Sequence, residues 1–148
     1  MNRRDAENAE NAEREANIGI VRRYFDAANT GDVDALDDLL APDVIDHSAY
    51  AGQASGRDGF KEFFTLWRTA FPDLVYTIED EIAGGDRVVV RWTGRGTHRG
   101  IYHHIAPTGK RVTMSGIQIN RLADGMIVED WTSADELGLL RQLGAITG

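Results

Sequence analysis

The chain has 148 residues, enough for one domain with a substantial core and too few for two of ordinary size. Hydrophobic residues make up 42% and charged residues 27%, a soluble globular composition, and a formal net charge of −8 argues against nucleic acid or an anionic membrane as the main partner. With no cysteine there is no disulfide framework, thiolate metal site or cysteine nucleophile. No apolar run spans a bilayer and the N-terminus lacks a hydrophobic signal core, so the expected location is cytoplasmic.

In chain order, the Ala/Glu/Asn-rich residues 1–16 read as a flexible or helical extension with nothing large to bury, and residues 17–148 as a single domain. Val21, Tyr24, Phe25 and Ala28 fall at i, i+3, i+4 and i+7, the face of a helix ending near Asn29-Thr30-Gly31. Asp32 fits the N-cap of a second short helix that carries Val33, Leu36 and Leu40 inward and stops before Pro42. Residues 43–50 read as a short extended segment leading into a Gly/Ser loop. Phe60, Phe63, Phe64, Trp67 and Phe71 then form an aromatic stripe on a third helix, ended by Phe71-Pro72. Core packing explains such a stripe, and an aromatic-walled pocket is compatible with it.

From Leu74 onward the chain reads as four strands in antiparallel succession, with turns at Gly84-Gly85-Asp86 and Ala123-Asp124-Gly125. Val112, Met114, Gly116, Gln118 and Asn120 alternate with Thr113, Ser115, Ile117 and Ile119, which puts two amides on one face of a strand. A short C-terminal helix follows Asp135. Helices packed on a strongly curved, mainly antiparallel sheet make an α+β domain, a cone with an open end where a small molecule fits.

The four histidines, His47, His98, His103 and His104, show no metal-site spacing, and no metal is expected. No Gly-x-Ser-x-Gly elbow and no phosphate-cradling glycine loop is present, so neither that nucleophile nor a nucleotide cofactor is implied. General acid–base chemistry remains, with Asp46, His47, Asp130 and Asp135 as candidates. Each also has a structural reading: Asp135 as a helix cap, His47 as a strand-end histidine, Asp130 as a solvent-facing or ion-paired acid on the outer face of its strand. The pairing of 112–121 with 126–133 would let Gln118, Asn120 and the last strand's exit border one cavity.

These residues carry a resemblance. Asp46-His47, Ala70-Phe71-Pro72-Asp73-Leu74, Gly85 to Arg91, Gly96-Thr97-His98 and Ala106 to Lys110 form its first part. Gly116 to Arg121, Asp124-Gly125, Ile127-Val128-Glu129, Trp131, Asp135 and Gly138 to Gly144 complete it. As an ordered set over residues 18–144, they resemble the SnoaL-like polyketide cyclases (ester cyclases) of the NTF2-like superfamily.

The resemblance implies a cone-shaped α+β barrel, a homodimer or homotetramer, and a cofactor-independent intramolecular aldol cyclisation of a hydrophobic polyketide ester. It implies Asp135 as the acid/base, with His47 beside it in an unspecified role. It also implies polar partners on the preceding strand, where Gln118 and Asn120 stand; Tyr50, Trp67 and Phe71 are the candidate apolar walls, and His104 and Trp131 complete the expected substrate contacts. Asn120 departs from the family by standing where characterised cyclases can carry a histidine. The alternatives are another NTF2-like reaction (isomerisation, epoxide hydrolysis or hydroxylation) and a non-catalytic ligand-binding module.

Overall fold

The computed structural model describes residues 2–147. The first helix, α1 (Arg3–Thr30), is continuous through the Ala/Glu lead-in. Asn2 caps its start, and Gly31 ends it at φ 72°, a left-handed C-cap that suits glycine. Residues 3–16 are its exposed half; burial begins at Asn17 and continues through Ile20, Val21, Tyr24 and Phe25. The Asp32 carboxylate accepts from the Ala35 N–H (3.2 Å), opening one turn of 3-10 helix (Val33–Ala35) that runs into the short α2 (Leu36–Leu39).

Helix α3 (Gly56–Ala70) buries Phe60, Phe64 and Trp67 and stops where Phe71 precedes proline. The last helix, α4 (Glu136–Gln142), packs on the sheet through buried Leu139.

Five strands make one sheet: β1 (Leu40–Asp46), β2 (Val75–Gly84), β3 (Arg87–Thr97), β4 (Arg111–Ala123) and β5 (Met126–Ala134). Their order is β1-β5-β4-β3-β2, antiparallel throughout except that β1 runs parallel to β5. The expected extended segment at 43–50 is therefore a fifth strand that begins earlier, at Leu40, and the short second helix ends before it. Pro42 is tolerated because β1 is an edge. The sheet keeps two free edges, so it is not a closed barrel; α1 and α3 cover its concave face.

Two links hold α1 against β2. Asn29 donates to the Tyr76 carbonyl (3.0 Å) and accepts from the Tyr76 N–H (2.7 Å). Arg22 forms a two-pronged ion pair with Glu81. Arg68 joins the ends of the two long helices by donating to the Ala28 and Pro72 carbonyls. His98, fully buried against Phe71, accepts the Thr108 N–H at Nδ1 (3.1 Å) and so anchors the 98–110 loop. Among the described residues no helix is long and apolar enough to cross a membrane.

Gly116 is a close-approach position. It pairs with Trp92 across β3 and β4, and a Cβ there would stand 2.3 Å from the indole ring. Gly116→Ala should displace Trp92 and destabilise the fold by about 1–3 kcal/mol; a urea titration checks this, with no change in midpoint counting against the packing.

Candidate active site

The concave face of the sheet and the two long helices enclose a cavity of about 410 Å³. Its helical wall is aromatic: Tyr24 and Phe25 from α1, and Phe60, Phe63, Phe64 and Trp67 from α3. Tyr24 meets Phe64 edge-on at 5.3 Å and Phe60 at 6.4 Å. The sheet wall carries the polar groups, Gln118 of β4 with Asp130 and Thr132 of β5, and Asp46 of β1 stands beside them.

Asp130 is the centre of this cluster and is 3% exposed. Its Oδ2 accepts from Gln118 Nε2 (2.7 Å), and its Oδ1 accepts from the Thr132 hydroxyl (2.9 Å). Gln118 Nε2 donates as well to Asn120 Oδ1 (2.9 Å), and Asn120 Nδ2 reaches the Val88 carbonyl (3.4 Å). Burial pushes the Asp130 carboxyl up to about 7, helped by the negative charge of Asp46 and opposed by the Thr132 and Gln118 hydrogen bonds. The same burial, with the Asp130 charge, holds the Tyr24 phenol well above its ordinary range, so it stays an O–H donor.

A backbone irregularity aims Asp130 inward. In the β4–β5 ladder Leu122 pairs with Ile127 but Arg121 pairs with Glu129, so Val128 is an extra residue on β5. Such a bulge reverses the parity of everything beyond it. Ile127 and Asp130, three apart, both face inward, while Glu129 and Trp131 face outward. Strict alternation would have put Asp130 on the outer face, the position that plain period-two reading gives it.

The structure separates the residues grouped by sequence. Gln118 and Asn120 are buried beside the cavity acid, and Trp67 is on the cavity wall. Phe71 packs behind it, stacked on Trp67 at 5.6 Å and lining a small separate void.

Asp135 does not reach the cavity. It is exposed, and its Oδ1 accepts the Gly138 N–H (2.9 Å) as the N-cap of α4. His47 is on the other side of the sheet, stacked on Trp131 (4.7 Å, 6°) and bonded to Glu129 (2.6 Å). There His47 and Arg121 hold the Glu129 carboxyl below the usual range.

Tyr50 lies outside the lining and meets His103, on the 98–110 loop, edge-on at 6.0 Å; exposed His104 is outside it too. Tyr24, Phe60 and Thr132 join the site without having been singled out for it. Tyr24 and Phe60 were legible only as members of apolar stripes, and nothing in sequence distinguishes a stripe that packs solidly from one that borders a void.

A folded-state value near 7 against an ordinary carboxylate value near 4 makes stability depend on pH. Below about pH 4 Asp130 is neutral in both states; between 4 and 7 only the unfolded chain is ionised, so stability falls as pH rises toward 7. Asp130→Asn removes this penalty. It should be more stable than the parent at pH 8, by up to about 4 kcal/mol, with the gap narrowing as pH approaches 4. Urea unfolding at the two pH values checks it.

Comparison with known proteins gives a consistent picture. The family model described as SnoaL-like polyketide cyclase matches residues 18–143. The aklanonic acid methyl ester cyclase DnrD of Streptomyces peucetius is 29% identical over 133 residues, covering 86% of this chain and 90% of that protein. The aklanonic acid methyl ester cyclase DauD of Streptomyces sp. strain C5 is 30% identical over 135 residues, covering 86% and 81%. The structure of TsrD from Streptomyces laurentii superimposes with a TM-score of 0.83 at 30% identity, covering 90% of this chain and 98% of that one.

Proposed function

The chain belongs to the SnoaL-like polyketide cyclase family, and from that premise we propose that it closes a ring in a hydrophobic polyketide ester by intramolecular aldol cyclisation with Asp130 as the proton carrier. The observation that carries this reading is a buried carboxylate, poised near neutrality, facing an aromatic-walled cavity.

Ionised Asp130 removes the proton from a carbon flanked by an ester and a ketone, a carbon acid weak enough in its C–H bond for one desolvated carboxylate. The enolate carbon then attacks a second carbonyl of the same chain, forming the new C–C bond. The resulting alkoxide takes the proton back from Asp130, so the step is an isomerisation with no net gain or loss of protons. Both N–H bonds of Gln118 are already committed, one to Asn120 and one to Asp130. Gln118 and Asn120 therefore orient the base. The Tyr24 hydroxyl, held protonated on the wall of the same cavity, is the donor suited to the enolate oxygen. Phe60, Phe63, Phe64 and Trp67 supply flat apolar walls that hold a multi-ring substrate folded in a near-attack shape.

This reading moves the acid/base role from Asp135 to Asp130. With aklanonic acid methyl ester as probe, Asp130→Asn should lose at least about a thousand-fold in turnover while remaining folded. Asp135→Asn, which keeps a good helix cap, should stay within a few-fold of the parent. The parent rate should rise with pH through about 7 as Asp130 ionises. Loss of activity in Asp135→Asn with retention in Asp130→Asn would overturn the assignment.

The reading extends to self-association through the outer sheet face. Ile45 and Ile117, each 50% exposed, and Trp131 lie on that face, an apolar area suited to a second copy. Sedimentation should give a dimer or tetramer, and Ile117→Lys should shift it toward monomer; a monomeric parent at micromolar concentration would refute this.

A further inference from the structure

Asp46 and Asp130 are partners in the parallel β1–β5 ladder, and the His47 N–H bonded to the Asp130 carbonyl (2.9 Å) continues that register. Paired residues of neighbouring strands project on the same face, and both side chains border the cavity. The Asp46 carboxylate is fixed in place. Oδ1 accepts the Ser48 N–H (2.9 Å) and Oδ2 accepts Gln53 Nε2 (2.9 Å), both from the loop between β1 and α3.

Among the described residues no cation is within ion-pair distance of either acid. The remaining groups around Asp130 are neutral or engaged: Gln118 and Asn120 from β4, Thr132 from β5, and the Tyr24 phenol from α1. Arg68 of α3 and Tyr76 of β2 border the cavity elsewhere, Arg68 bonded to backbone carbonyls, and Glu136 is an exposed acid at its edge.

We propose that Asp46 is a positioning residue of an electrostatic kind: a loop-anchored negative charge that faces Asp130 across the β1–β5 ladder and sets how strong a base Asp130 is. Its catalytic meaning rests on the reading of Asp130 as proton carrier. A like charge beside a carboxylate disfavours ionisation, and the anion, once formed, holds a proton more tightly. Burial alone would raise Asp130, and Asp46 adds to it in the same direction. The two loop donors hold the Asp46 carboxylate in place on the Asp130 side of the ladder. Asp46 never needs to touch substrate to act.

The test is a direct titration of Asp130 in the intact chain, followed by the carboxyl ¹³C resonance of labelled aspartate from pH 4 to 9 and assigned with Asp130→Asn. Asp46→Asn and Asp46→Ser, two neutral variants that keep an acceptor for the Ser48 N–H, should lower the Asp130 midpoint by about one pH unit. Asp46→Glu should keep it near the parent value. Gln53→Ala, which loosens the loop without removing the charge, should leave it in place. An unmoved midpoint in the neutral variants overturns the proposal, as does an equal shift in Gln53→Ala, which would make loop geometry the cause. The titration uses no substrate, so absence of cyclase turnover refutes the proposed reaction without touching this result.

Discussion

Burying a single carboxylate without a cation is the constraint on which the rest of the site depends. An ionised acid cut off from water is strongly disfavoured unless its oxygens are hydrogen-bonded. Asp130 has one donor on each oxygen, from Gln118 and Thr132, and no cation partner among the described residues. This is enough to keep the group in the fold and too little to keep it ionised at low pH. Its proton affinity consequently falls near neutrality, where a group can both take and return a proton. Asn120, buried behind Gln118, makes sense in this arrangement: it occupies the amide and so holds it against the acid.

The two faces of the sheet carry two different charge arrangements. On the outer face Glu129 has both His47 and Arg121 as partners, and its carboxyl is held below the usual range. One residue along the chain, on the inner face, Asp130 lacks such partners and is pushed up. Adjacent acids on one strand are thus driven in opposite directions by which side of the sheet they face. The bulge at Val128 decides which side each takes, because it changes the parity of the strand.

The helices determine what can enter. Because the sheet keeps both edges, α1 and α3 complete the enclosure, and their facing stripes leave space between themselves and the sheet. Tyr24 belongs to both roles, packing edge-on against Phe60 and Phe64 while lining the same cavity as Asp130. The ties from Asn29, Arg22 and Arg68 fix how far α1 stands from β2 and α3, and so help set the cavity's width.

Local periodicity determined much of this protein. The 3.6-residue stripes of Val21-Tyr24-Phe25 and Phe60-Phe64-Trp67, and the alternation from Val112 to Asn120, needed only near neighbours to be read, and they yielded the α+β class and a strand with two amides on one face. The helix-cap reading of Asp135 was legible too, since a cap is an interaction across three residues. Tertiary structure alone decided which acid enters the cavity. That depends on one extra residue opposing β4, a non-local pairing with no local signature, and it turned Asp130 inward while leaving Asp135 in solvent. The same cause put Trp131 on the outer face, where His47 stacks on it: strand parity is a property of the assembled ladder, and a single residue of register reverses it.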